Sequence, residues 1–450
     1  MTCYSLQPLG GWTGCLPPAG RETDLWPAGS VRVFFTTLAL FCCGLLGATS
    51  TLAQDAPAPR DEYVEEMESL LSNSRVQEAL TVIRETDDRT IEDLISLTEI
   101  PAPPFKEESR ARKFLNMLRE AGVDTAWIDD EGNVIGKRRG TVGDRVLVFS
   151  GHLDTVFPEG TDVTVTRRGD TLFAPGIADD GKGLVTVLAV LRAMNRADIE
   201  TRGDVLFVGT VGEEGLGDLR GMKHLFRQGG PQIDAFVSVD GTSSDRVTNK
   251  ALGSHRYRVT YKGPGGHSWG AFGLANPHHA LGRAIKYWVD EAEAFTREGP
   301  PTSYNVGRIG GGTSVNSIPY ESWVEVDMRS HTREKLHGID SLFQSAVERA
   351  QREQNEMRRN GPALTVDVAM IGDRPSGEID PLVPIVQRGL AATTILGMEP
   401  ELSRSSTDSN IPISRGIPAI TIGGGGIAGG VHSPDEWYLN EDGYKGIQKG

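Results

Sequence analysis

RVLVFSGHLD, residues 145–154, is a short apolar run that ends in a glycine, a histidine and an aspartate. Its continuous apolarity over a few residues predicts a buried strand of a parallel sheet rather than a half-exposed one. The polar end then falls in the loop just past the strand. In open α/β sheets, ligands bind beyond the carboxyl ends of the strands, so His152 and Asp154 stand where chemistry is expected.

The same pattern recurs on either side. GLVTVLAVLRAM (183–194) places Leu184, Val187, Leu188 and Leu191 at helical spacing, and DVLFVGTV (204–211) is another buried strand. MKHLFRQG reads as a helix, IDAFVSVD (233–240) as a strand, and PAITIGG (418–424) as one more far downstream. Upstream, Ile91, Leu94 and Ile95 share one helical face before the IPAPP stop at 100–104. EESRARKFLNMLREAG follows as a second amphipathic helix, with Phe114, Leu115 and Leu118 on one side and Gly122 as its stop. Strands alternating with helices predict an α/β fold with a doubly wound, mostly parallel sheet.

Residues 255–371 break this rhythm. RYRVTYKG, SYNVGRI, YESWVEVDMRS and ALTVDVAMI read as strands, and two long helices, at 275–295 and 333–357, lie between them. The order βαββαβ predicts a separate α+β unit with one sheet face free to pack, inserted into the first domain.

Five predicted loops at one rim each carry His or carboxylates. They hold His152 and Asp154 in GHLDTV, Asp179 and Asp180 in PGIADDGKG, Glu213 and Glu214 in GEEG, Asp240 in SVD, and His432 and Asp435 in GGGGIAGGVHSPDEW. Singly these are ordinary features: Glu-Glu pairs are common surface charge, and Asp-Asp in a glycine loop is commonly a turn or an N-cap. Together, at successive strand ends, they suit zinc or a related divalent ion. The set has more carboxylates than one tetrahedral ion takes, so a carboxylate bridging two ions about 3.5–4 Å apart is the economical arrangement.

The ordered set GHLDTV, ADDGKG, GEEG, SVDGT, GPGGHSWG, VNSIP and GGVHSPDEW resembles the dinuclear-zinc metallopeptidases of the aminoacylase, glutamate carboxypeptidase and peptidase T type, over roughly residues 85–445. The resemblance implies a zinc-peptidase domain, residues 54–254 and 372–450, interrupted by a lid and dimerisation domain, 255–371. It implies two divalent ions, most commonly zinc, with cobalt or manganese as alternatives. His152 and Asp240 match ligands of the first ion, Glu214 and His432 ligands of the second, and Asp179 the bridging aspartate, joined to Asp180 by a cis peptide. Asp154 matches the carboxylate that orients His152, and Glu213 the general base. His267 matches a lid residue that reaches into the neighbouring subunit's site of a homodimer to stabilise the oxyanion. Asn316 and Arg329 match lid positions that hold the polar end of the substrate. Many relatives run from the Asp pair directly into Lys-Gly, whereas here Gly181 precedes Lys182.

The activity so implied is co-catalytic, metal-dependent hydrolysis of amide bonds in small peptides, of exopeptidase or dipeptidase type, with Glu213 activating the water. Deacylation of N-acyl amino acids is the alternative, and a non-catalytic exported metal- or peptide-binding protein a remote one. The remaining histidines lie in segments without a partner pattern, except His255, which adjoins the domain junction, and Asp408 falls in a polar loop (SSTDSN) near the site.

The chain has 450 residues and a net charge of −15, which argues against a nucleic-acid partner. Its four cysteines are Cys3, Cys15, Cys42 and Cys43. They leave the body without a disulfide framework, a cysteine-ligated metal or a thiol nucleophile. The uncharged run VFFTTLALFCCGLLG (33–47) has the length of a signal-peptide core. Thr51 and Ala53 suit cleavage after residue 53, which makes 1–53 a leader with an upstream extension. The expectation is a periplasmic or secreted protein, with an N-terminal membrane anchor as the alternative.

Overall fold

The computed structural model describes residues 58–450. The apolar run 33–47, the four cysteines and the expected cleavage point after Ala53 lie outside the described residues. Among the described residues, no helix is long and apolar enough to cross a membrane.

The strand Val146–His152 sits at the centre of a nine-stranded sheet. Its parallel neighbours are Asp204–Thr210 on one side and Ala235–Val239 on the other, and Ala419–Ile422 extends the parallel set. Following the pairings outward, six of the nine strands run in one direction; Val134–Arg138, Arg246–Ala251 and Glu401–Ser405 run against them. This is the mixed α/β fold with a mostly parallel sheet that the strand–helix alternation predicts. Asp204–Thr210 is buried along its whole length, which explains why its residues do not alternate in polarity.

Helices supply the other half of the core. Leu94 and Leu97 of Asp87–Thr98, Phe114 and Leu118 of Glu108–Ala121, and Leu184 and Leu188 of Lys182–Arg196 pack with Val148, Phe207 and Phe236 of the sheet. Gly122 ends the second of these helices at φ +90°, a conformation glycine adopts at no steric cost.

A second sheet is built by residues 253–374. It is four-stranded and antiparallel, in the order Thr302–Gly311, Glu321–Ser330, Gly253–Lys262, Thr365–Arg374. Helices Pro277–Thr296 and Arg333–Met357 pack on one face, around Trp288, Phe343, Val259 and Val326. Glu321–Ser330 alternates strictly between buried and half-buried positions, which leaves a charged face opposite the helices.

Sequence periodicity misses the short elements. Thr125–Ile128 is a four-residue strand too short to show a period, and Arg246–Ala251 and Glu401–Ser405 are strands with largely polar sequences held by their neighbours. Inside the stretch read as a glycine loop, Ile427–Gly429 pairs with Trp437–Leu439, and the pair joins Thr166–Arg168 and Thr171–Phe173 in a small sheet beside the rim.

Candidate metal centre

Four strand ends and one loop converge on the rim. His152 ends its strand; Glu213 and Glu214 follow Asp204–Thr210; Asp240 follows Ala235–Val239; His432 lies beyond Ala419–Ile422. Asp179 precedes the helix Lys182–Arg196, and the Asp179–Asp180 peptide is cis.

Asp179 stands between two groups of donors. Its Oδ1 is 2.9 Å from His152 Nε2 and its Oδ2 is 3.0 Å from His432 Nε2, which is also 3.0 Å from Glu214 Oε1. Single donor atoms of His152, Asp179 and Asp240 lie within 4.8 Å of one another, as do those of Asp179, Glu214 and His432. Two three-residue clusters therefore share one carboxylate, the arrangement that suits a pair of divalent ions.

The electrostatics point the same way. Burial raises the Asp240 carboxyl to about 7, helped by Asp179 and opposed by His152. Burial also lifts Glu213 well above the ordinary carboxylate range, with Arg374 opposing and Glu214 reinforcing. Burial works against the His152 imidazolium, yet its hydrogen bond to Asp179 and the surrounding carboxylates hold its pKa well above the usual value. Hydrogen bonds to Asp179 and Glu214 raise His432 to about 10. So many carboxylates in a desolvated space call for positive charge. Bound cations would supply it.

A set of acceptors fixes the loops behind the donors. The Asp154 carboxylate accepts the backbone N–H groups of Glu213 (3.0 Å) and Glu214 (2.7 Å), and its Oδ1 is 3.8 Å from His152 Nδ1. The ring instead lies 3.0 Å from the Asp154 carbonyl. Asp154 thus orients the imidazole through its backbone and positions the Glu-Glu loop through its side chain. Asp180 accepts from the N–H groups of His152 and Gly183. A Cβ at residue 183 would lie 2.2 Å from the Asp180 carboxylate, so this approach requires glycine.

Two participants escape sequence reading. Glu436, fully buried, accepts the N–H groups of Gly176, Ala178 and Asp179, whereas the neighbouring Asp435 is exposed. Only the burial alternation of the strand that starts at Trp437 distinguishes the two. Arg374, the last residue of the second sheet, donates to Glu213 Oε1 at 2.9 Å and to the Glu213 carbonyl. Asp408 is buried and bonded to Thr210, close to the centre.

A cavity of 680 Å³ opens beside the centre; Arg246, Arg256, Arg329, Arg374 and Arg404 line it together with the acidic donors. Arg329 and Arg256 come from the charged face of the second sheet, where both contact Asp327. His267 and Asn316 are not brought to this cavity within one chain. Both are exposed, and His267 pairs with Ser317 in a two-residue ladder while Asn316 accepts from the Ser268 N–H. His255 also faces elsewhere, toward Asp340.

With donors, bridge and cavity in place, the class is that of a metal-dependent α/β hydrolase. The sequence matches Peptidase family M20/M25/M40 over residues 148–449, and the chain belongs to that family. It is 27% identical, over 75% of this chain and 85% of the relative, to a putative LysW-lysine/LysW-ornithine hydrolase of Pyrococcus abyssi. It is 26% identical to a succinyl-diaminopimelate desuccinylase of Nitrosospira multiformis, covering 66% of this chain and 76% of the relative. The fold matches the dipeptidase Dug1p of Saccharomyces cerevisiae with a TM-score of 0.66 at 15% identity, over 83% of this chain and 96% of that one. The protein is a hydrolase acting on amide bonds, in a family of dinuclear metal-dependent enzymes.

Asp154→Asn replaces one acceptor of the Glu-Glu loop by a donor. Its affinity for divalent metal is expected to fall about 10–100-fold, the usual cost of losing an outer-shell partner, as measured by competition with a chelating dye. An unchanged affinity would remove Asp154 from the support of the centre.

Proposed function

We propose that the protein hydrolyses the amide bond of small peptides that carry a free carboxylate, with Glu213 as general base. The position of Glu213 carries this reading. It is buried at the cavity wall, adjoins Glu214, and shares a donor cluster with His152. In this reading His152, Asp179 and Asp240 would hold one divalent ion, and Asp179, Glu214 and His432 the other. Zinc suits this nitrogen and oxygen set, with cobalt or manganese as alternatives. Such ions, when bound, acidify a water molecule and polarise a carbonyl.

The chain's own groups do the rest. Glu213 takes the proton of the attacking water and returns it to the departing nitrogen. Burial favours its protonated form, which equips it for the second step; Arg374 favours the carboxylate, which the first step needs. Arg256, Arg329 and Arg404, all lining the cavity, offer guanidinium groups to a substrate carboxylate. A second reading, hydrolysis of N-acyl amino acids with an acidic acyl group, is favoured by the same cluster of arginines and by the name of the desuccinylase relative.

A homodimer formed through the second sheet belongs to this proposal. Its support is the edge strand Thr302–Gly311 together with exposed Trp269, Ile309 and Val315. His267 would then stabilise the oxyanion in the partner's cavity.

Glu213→Gln is expected to keep its metal content and lose about 100- to 10,000-fold in kcat, measured on a panel of dipeptides and N-acyl amino acids with zinc, cobalt or manganese. Near-normal turnover would reject Glu213 as the base, and activity on neither class would reject the substrate assignment. Arg374 lowers the Glu213 pKa, so Arg374→Met should move the acid limb of kcat/KM to higher pH, while Arg374→Lys largely restores it. An acid limb that stays in place in Arg374→Met would show that Glu213 does not govern it. Mixing inactive His267→Ala and Glu213→Gln chains under conditions of subunit exchange should recover part of the activity. No recovery in verified mixed dimers would exclude the role in trans.

A further inference from the structure

At the base of the second sheet, four ligand-type side chains from three elements meet. His255 lies on the strand Gly253–Lys262 and Asp373 is its register partner on Thr365–Arg374. His337 and Asp340 are three residues apart on the helix Arg333–Met357, on the turn that packs over these strands. Single donor atoms of His255, His337 and Asp340 lie within 4.8 Å of one another. This end of the sheet–helix interface departs from the rest, which is closed by Tyr257, Val259, Ile339 and Phe343. His255 is buried, with 5% exposure, in a place where an apolar residue would pack without a polar partner.

We propose that His255, His337 and Asp340 form a third divalent-metal site, separate from the rim centre, for a zinc-class ion. Two imidazole nitrogens and one carboxylate oxygen are a donor set that zinc, cobalt and nickel accept, with one position left for solvent. The surroundings are those of a metal site. His255 Nδ1 is 2.8 Å from Asp340 Oδ2, and opening this gap by about half an ångström reaches the ligand–ligand spacing of a tetrahedral zinc site. His255 Nε2, on the far side of the ring, is 3.6 Å from Asp373 Oδ1, a charge neighbour rather than a hydrogen-bond partner. Asp340 is held in turn by Tyr257 Oη, 3.0 Å from Oδ2, and by Gln344 Nε2, 3.1 Å from Oδ1. The outer partners that ligands need are therefore already present.

The ion would pin the helix Arg333–Met357 to the strand Gly253–Lys262 at the point where the second sheet meets the first domain. Asp373 donates its N–H to Asp218 Oδ1 there, and Arg374 grips Glu213.

The test is the metal content of the full-length protein after dialysis against micromolar zinc, read by elemental analysis, with a parallel cobalt titration followed by its d–d absorption. Wild type should bind one equivalent more than His337→Ala and than Asp340→Asn, and a variant of another exposed histidine, His279→Ala, should match wild type. Because the readout is a difference, it stands whatever the rim centre binds. His337 is exposed, so its replacement leaves the packing intact; zinc should raise the Tm of wild type by more than that of His337→Ala. Equal metal content in wild type, His337→Ala and Asp340→Asn would overturn the site. So would a loss in His279→Ala equal to that in His337→Ala, which would mark adventitious binding at exposed histidines.

Discussion

Desolvated negative charge at the carboxyl rim of the parallel strands is the constraint on which the structure turns. Asp179, Glu213, Glu214 and Asp240 are brought within a few ångströms of His152 and His432, and Arg374 is the cation paired with them inside the protein. In a low-dielectric setting such a group is costly unless it is protonated or joined by cations. The raised pKa values of Asp240 and Glu213 show the first response, and the two donor clusters sharing Asp179 provide for the second. Metal affinity and fold stability are then one quantity viewed twice, since cations that bind the folded rim and not the unfolded chain stabilise it by mass action.

Holding like charges together requires a scaffold that cannot relax. Three buried carboxylates that do not face the cavity provide it by accepting backbone N–H groups: Asp154 for the Glu-Glu loop, Asp180 for His152 and the start of its helix, Glu436 for the Asp179 loop. His432 adds local strain, at φ +64° in the left-handed region that non-glycine residues seldom occupy. The donors gain their placement from hydrogen bonds one layer behind them, as preorganised sites do.

How much of this was legible follows from what each residue does. Residues that end a buried apolar strand, such as His152 and Asp240, are visible because the strand's period marks where the loop begins. The parallel sheet and the βαββαβ order of 255–371 are visible for the same reason. Glu436 was not, because its neighbour Asp435 is chemically equivalent and only the pleat of a three-residue strand separates buried from exposed. Arg374 was not, because its partner Glu213 is 161 residues away and no local pattern encodes that contact. The resemblance points to Asp154 behind His152; that His152 Nδ1 lies 3.0 Å from its carbonyl and 3.8 Å from its carboxylate is a choice of atom no sequence pattern encodes. In sequence His255 only adjoins a junction, because its partners on another strand and a helix are set by tertiary packing.

A tension between global and local charge remains, and it bears on substrate choice. The chain carries −15 overall, yet five arginines line the cavity beside the acidic donors. Surface charge acts through salt water, where the Debye length is about 8 Å at physiological ionic strength, so the outer field barely reaches an anion already inside the cavity. Within it, guanidinium groups act at short range and with fixed geometry, so they select a carboxylate by shape as well as by charge. Arg256 and Arg329 are tied to Asp327, and Arg404 to Glu378 and to the carbonyls of Ala251 and His331. Such tethering limits how far each can follow a ligand and lowers the entropy lost on binding one. Under the proposed function the arginines would act as a preformed anion cradle in a chain of net negative charge, an arrangement that favours discrimination among substrates over speed of capture.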